Sequence, residues 1–206
     1  ISPEQRPDHA LMRNMLESTL WRLLRFREFE WNPALYNVGE TLARMMTEHY
    51  DTPQQRADDI CRRMKSVPAY YAAARKNIIR PVHEHVHLAI EQNEGTLQVF
   101  GSDLAAFMDS AGFDAERRRQ LLSGASACMN AVREYVAWLH GLDKEDMRDF
   151  RIGKDLYEEK FRHEIQSEHT ADQMYRKALK RKQELHEEMA KLSTGIWKKY
   201  FYRQPV

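Results

Sequence analysis

The 206 residues of the chain carry 32 Lys and Arg against 31 Asp and Glu, and 42% of them are hydrophobic. This balance argues against a nucleic-acid binder, which would carry a concentrated basic surplus. No stretch approaches the roughly 18 consecutive apolar residues of a membrane span, and no signal peptide is evident. The composition therefore predicts a soluble chain with one sizeable core, or two small ones that share an interface.

Helical spacing of apolar residues dominates the first part of the chain. A first helix is predicted from near Asp8 to about Phe29, and a second follows the break before Pro33 and reaches about His49. A third begins at Thr52, which can cap it while Gln55 completes a capping box. The expected inner faces are Leu11, Met15, Leu16, Leu20, Leu23 and Leu24 in the first helix, and Leu35, Val38, Leu42, Met45 and Met46 in the second.

Three more helices are predicted in the middle of the chain. One opens at Pro68, and a longer one runs from Pro81 to Gly112 with a bend at Gly95 or Gly101. Another begins at a cap on Asp114, ends at Gly141 and buries a stripe of apolar residues. The stripe consists of Leu121, Ala125, Cys128, Val132, Val136 and Leu139.

Residues 142–152 are predicted to be a connector, and residues 153–206 a helical hairpin whose long second helix runs from about Thr170 to Phe201. In the long helix, positions on one stripe recur at alternating spacings of four and three, which is typical of a helix packed lengthwise against a neighbour. The stripe consists of Ala171, Tyr175, Ala178, Lys182, Leu185, Met189, Leu192 and Ile196. The predicted fold is all-α: a multi-helix array over residues 1–141, the connector, and the hairpin, in a single helical region with no significant sheet. Because the chain starts at Ile1 rather than Met, we expect that an upstream segment preceded it.

One motif has the pattern of a zinc site. His83, Glu84 and His87 fit H-E-x-x-H, in which two histidines one helical turn apart bind zinc and the glutamate polarises a zinc-bound water. Glu94 lies seven residues beyond His87, about 10 Å along a helix, so it cannot share their metal ion. Since no other residue is singled out as a third ligand, the favoured interpretation is a chance match at an exposed helix start.

Two cysteines occur in the chain, and both lie on apolar stripes of predicted helices. Cys61 and Cys128 are therefore expected to be buried thiols, and a single disulfide between them is the alternative if the protein is exported. Neither cysteine carries a catalytic signature, and no serine lies in a G-x-S-x-G elbow.

Several segments resemble the bacterial family catalogued as domain of unknown function 885. Residues 150–161, FRIGKDLYEEKF, carry the family's pattern of phenylalanine, arginine, an aliphatic residue and glycine, followed by leucine, tyrosine and lysine. Residues 50–53 with Arg56, residues 89–95, and the methionine, alanine and charge alternation of the final helix support the resemblance.

The resemblance implies the N-terminal half of a metallopeptidase-like protein that is exported or lipid-anchored, with its zinc in the C-terminal half. This chain is then expected to supply no catalytic or metal-binding residue, and to be inactive alone. Its expected partners are its own C-terminal domain and a peptide substrate. Arg151 and Tyr157 are the substrate-cleft candidates. The favoured alternative is structural: Arg151 binds helix-end carbonyls, Gly153 permits a turn, and the apolar residues have helical core spacing. These apolar residues are Phe150, Leu156, Tyr157 and Phe161.

Two other functions remain open. The first is a self-contained zinc enzyme built on His83, Glu84 and His87. The second is a helical interaction module, in which the final helix or the apolar chain end docks a partner or a second copy of the chain. The aromatic residues of that end are Trp197, Tyr200, Phe201 and Tyr202.

Overall fold

A computed structural model describes residues 2–142 and 146–201 of the chain, and these residues are almost entirely helical. Among them no strand occurs, and the one non-helical pairing is an isolated parallel bridge between Val82 and Arg148. The predicted all-α class with a long final helix is confirmed. The helices are α1 (Arg6–Trp21), α2 (Gly39–Thr47), α3 (Pro53–Met64), α4 (Val67–Asn77), α5 (His83–Gln98), α6 (Leu104–Ser110), α7 (Ala115–His140), α8 (Lys154–Ile165) and α9 (Ala171–Tyr200). Within the described ranges, none of them combines the length and apolar character needed to cross a membrane.

The first helix ends earlier than the sequence predicts. Its α-helical part stops at Trp21, and a π-helical segment, Arg22–Phe26, extends it by one wider turn. Arg27 then adopts the left-handed conformation, with φ of 48°, which ends the helix before Phe29. A second π-helical segment, Val99–Asp103, separates α5 from α6 and contains Gly101, one of the two positions where a bend is predicted.

Side-chain caps fix the starts of several helices. Thr52 Oγ1 accepts a hydrogen bond from the backbone N–H of Gln55 at 3.2 Å, as predicted. The other half of the predicted capping box is wrong, because the side chain of Gln55 donates forward to Asp59 at 3.3 Å. Asp114 Oδ1 accepts from the N–H of Arg117 at 2.8 Å and caps α7.

The chain divides into two compact units. The core unit runs from Arg22 to Arg151, and the split unit consists of the residues up to Trp21 and those from Ile152 onward. The core unit is thus inserted, in sequence, between the first helix and the last two. The sequence did not predict that α1 groups with α8 and α9.

Helix α7 is the central element of the core unit, where it packs against α3, α4 and α5. Tyr71 and Tyr135 meet in the middle of this core, with ring centroids 4.9 Å apart. The other fully buried large side chains include Leu42, Ile60, Leu104, Leu121, Val132 and Leu139. The predicted α7 stripe is accordingly buried, except that Val136 is half-buried.

Two glycines allow close approach of helices within the core unit. A Cβ atom on Gly39 would lie 2.5 Å from Oγ1 of Thr96, at the contact of α2 with α5. A Cβ atom on Gly124 would lie 2.8 Å from Cε of Met64, at the contact of α3 with α7. Both positions therefore exclude a side chain unless the facing side chain moves.

In the split unit, α1 contacts α8 through its polar face. Asn14 Nδ2 donates to the carbonyl oxygen of His163 at 3.0 Å, and Trp21 Nε1 donates to the carboxylate of Glu159. Asn14 and Trp21 are seven residues apart and therefore lie on one side of the helix. The predicted inner face of the first helix is wrong for this reason. Leu11, Met15, Leu16, Leu20, Leu23 and Leu24 are all exposed.

Candidate functional site

The 150–161 motif begins with a local turn built around Asp149. Its carboxylate accepts the backbone N–H of Arg151 at 2.7 Å, and this bond, with the nearby guanidinium, lowers the pKa of Asp149. Arg151 Nη1 lies 3.2 Å from the second carboxylate oxygen, and its guanidinium lies 4.5 Å from the ring centroid of Phe150. Gly153, at φ of 81°, then starts α8, since most other residues would be strained there.

The two cleft candidates are exposed. Among the described residues, Arg151 contacts its neighbours Asp149 and Phe150 and no helix-end carbonyl. Phe150 and Tyr157 are both 51% exposed, and the Tyr157 ring packs loosely beside Phe161, with centroids 6.3 Å apart. Arg151 belongs to the core unit and Tyr157 to the split unit.

The connector that precedes the motif is fixed to the core unit around a buried indole. The N–H of Arg148 donates to the carbonyl oxygen of Pro81 at 3.0 Å, and its guanidinium lies 5.0 Å from the ring centroid of Trp31. The His85 ring stacks on the same indole, with centroids 5.6 Å apart. These contacts fix the position of Arg148, which lies three residues before Arg151. Part of the predicted connector, residues 143–145, lies outside the described residues.

The H-E-x-x-H motif occupies the first two turns of α5. His83, Glu84 and His87 are exposed, and His87 Nδ1 lies 3.4 Å from Glu91 Oε1 one turn further along. The inward-facing histidine is His85, between the two motif histidines. Across the described part of the chain, no three His, Cys, Asp or Glu side chains are grouped so that they could hold a metal ion. The fold therefore brings no third ligand from the described residues to His83 and His87.

Buried polar groups in the core unit are structural. Asn93 Nδ2 donates to the carbonyl oxygens of Ala89 at 2.8 Å and Tyr36 at 3.2 Å, and Asn93 Oδ1 accepts from the Tyr71 hydroxyl at 2.6 Å. Burial raises the pKa of Tyr71 well above its usual range, so this hydroxyl remains a donor. The buried Arg56 binds carbonyl oxygens at the end of α2, including that of Met46 at 2.9 Å.

A cavity of about 850 Å³ lies between α3 and α7 and includes Cys61 in its lining. Burial raises the pKa of the Cys61 thiol, so its nucleophilic thiolate is disfavoured. The thiol of Cys128 donates to the carbonyl oxygen of Met64 at 3.4 Å, and burial raises its pKa to about 12. Both cysteines are free thiols. The cavity rim carries the ion pair of Arg117 with Asp58 at 2.7 Å.

The comparisons with known proteins come from a family model and a solved structure. The model of the family described as "Bacterial protein of unknown function (DUF885)" matches residues 1–203. A structure described as "a putative lipoprotein of unknown function from Shewanella oneidensis" is 36% identical and superimposes with a TM-score of 0.90. The match covers all of this chain and 38% of that one, and no curated protein matches. The chain therefore belongs to the bacterial DUF885 family.

Proposed function

We propose that this chain is the helical, non-metal-binding region of a larger exported or lipid-anchored hydrolase of the metallopeptidase type, in which it forms part of the substrate-cleft wall. The observation that carries the proposal is the exposure of the 150–161 motif, whose Phe150 and Tyr157 are each 51% exposed. Core residues would be covered. Within the core unit, an arginine and its neighbouring aromatic ring, Arg151 and Phe150, lie at the surface and suit contact with a peptide substrate.

The electrostatics of the motif support a binding role for Arg151. Within the described part of the chain, its guanidinium forms an ion pair with Asp149, and its side chain is 71% exposed. A guanidinium has five N–H donors, so it can bind a peptide carboxylate or carbonyl while it keeps this ion pair. In the proposal, the zinc and its ligands belong to the part of the hydrolase outside this chain.

The test uses the full-length polypeptide and measures its zinc content and its hydrolysis of a mixture of internally quenched peptides. Arg151→Ala is expected to keep the zinc and the melting temperature and to lower kcat/KM by at least about tenfold, since one lost contact with substrate is worth ~1.4 kcal/mol. The matched control is the double variant His83→Ala, His87→Ala, which is expected to keep both zinc and activity.

The same samples separate the rival functions. Zinc lost from the double variant would establish the self-contained zinc enzyme and overturn the proposal. An unchanged kcat/KM in Arg151→Ala would show that this residue does not contact the substrate.

A second candidate function, a helical interaction module, is favoured by the exposed apolar stripe of α9, in which Met189 and Leu192 are 65% and 68% exposed. Of its predicted aromatic end, Tyr200 and Phe201 are exposed, Trp197 is half-buried and Tyr202 lies outside the described residues.

A further inference from the structure

Helix α9 is amphipathic, and its apolar side is uncovered. At about 1.5 Å per residue its 30 residues form a helix roughly 45 Å long. The apolar positions keep to one side of it, and the opposite side carries charge pairs such as Lys180 with Glu184 at 4.0 Å. The exposed members of this stripe are Tyr175, Leu185, Met189, Leu192 and Ile196. An apolar face of this length is not typical of a monomeric surface.

The rest of the split unit also leaves apolar side chains exposed to solvent. Helix α1 contacts α8 through Asn14 and Trp21, which leaves its leucine and methionine face in solvent. Among the described residues of α1, α8 and α9, none is fully buried. Three helices that bury no side chain completely do not make a core of their own.

The solved relative has additional polypeptide that could cover these faces. The match spans all of this chain and 38% of the relative, so most of the relative's polypeptide lies outside the match. The alternating four and three spacing of the α9 stripe is that of a helix packed lengthwise against another helix.

We infer that the apolar faces of α1 and α9 are docking surfaces for helices in the remaining part of a longer polypeptide. The split unit then contributes three helices to a composite domain, and the core unit is an insertion into that domain. The inference shares with the proposed function the requirement for a longer polypeptide. It does not depend on zinc or on hydrolysis.

The experiment measures maleimide labelling of single introduced cysteines in the full-length polypeptide, in a Cys61→Ser, Cys128→Ala background with any other cysteine of the polypeptide also replaced. Met189→Cys lies on the stripe, and Lys180→Cys is the matched control on the opposite side of α9, where the native side chain is 82% exposed. We expect Met189→Cys to label at least about tenfold more slowly than Lys180→Cys, because the docked helix must open first. In this chain alone, the two variants should label at similar rates. Leu192→Cys repeats the measurement one turn further along the stripe.

Two results would overturn the inference. Equal labelling of Met189→Cys and Lys180→Cys in the full-length polypeptide would show that the α9 stripe is free. Protection of Met189→Cys in this chain alone, increasing with its concentration, would show that a second copy occupies the stripe. Because labelling does not measure hydrolysis, a failure here leaves the result of the Arg151→Ala test unaffected.

Discussion

The core unit and the split unit use similar amphipathic helices in different ways. In the core unit, α7 turns its apolar stripe toward α3, α4 and α5, and Leu121 and Leu139 are almost fully buried. In the split unit, α9 carries a similar stripe that none of the described helices covers, and Leu192 is 68% exposed. Apolar residues that recur at helical spacing therefore indicate that this face of the helix packs against another element. They do not show that the covering residues belong to the same segment of chain.

The largest expected effect is the loss of stability on truncating a stripe leucine, which should differ between the two units. Leu139→Ala should lower the free energy of unfolding by about 2–5 kcal/mol, because it leaves a cavity in the core unit. In this chain alone, Leu192→Ala should change it by less than about 0.5 kcal/mol, because the leucine is already largely in water. The free energy of unfolding of both variants is measured by urea denaturation monitored by circular dichroism. A comparable loss in both variants would mean that the split unit has a core of its own.

A smaller effect is expected for a buried hydrogen-bond network. Asn93→Ala removes the partner of the Tyr71 hydroxyl and of the Tyr36 carbonyl, which should destabilise the core unit by about 1–3 kcal/mol. Gln183→Ala is the matched control in α9, where the amide binds Glu187 at 2.9 Å in solvent. Thermal denaturation should separate the two variants clearly. Equal melting temperatures would show that water replaces Asn93 without cost.

The smallest effect is a dependence on alkaline pH, measured over the first pH unit above 9.0. The pKa of Cys128 is about 12 in the folded protein, against an ordinary value of 9.0, so the folded state holds this proton more tightly. The contribution of Cys128 to stability is therefore fully present below pH 9.0 and decreases as the pH rises toward 12, by at most ~1.4 kcal/mol per pH unit.

The measurement is the melting temperature as a function of pH. It should fall less steeply above pH 9.0 in Cys128→Ala than in the unmodified protein. Cys61→Ser is the control, since Cys61 is only half-buried. Parallel curves for the unmodified protein and Cys128→Ala would contradict the assigned burial of this thiol.

Local signals in the sequence predicted much of the fold. Thr52 and Asp114 mark true helix starts because a cap depends on neighbouring residues alone. The end of the first helix was missed because Arg27 in the left-handed conformation has no sequence signature comparable to glycine. Its inner face was wrong because Asn14 and Trp21, rather than the leucines, meet α8.

The candidate site was less predictable, because its contacts join distant segments. Trp31 meets His85 and Arg148 only in the folded core unit, and no local pattern pairs them. Asn93 could have been found, since it continues a helical stripe with Ala89 and Thr96, and a polar residue at such a position indicates a buried hydrogen bond. The roles of Arg151 and Tyr157 stay predictions, although both side chains lie where a substrate could reach them.

The two close helix contacts of the core unit, at Gly39 and Gly124, differ in how readily they tolerate substitution. At Gly39 the facing atom belongs to Thr96, a β-branched side chain with little rotational freedom, so the separation of α2 and α5 is constrained. At Gly124 the facing atom is the flexible end of Met64, which can swing aside. Met64 and Gly124 also line the cavity between α3 and α7. The volume of this cavity can therefore differ between homologues through changes at these two positions. The contact between α2 and α5 keeps its spacing.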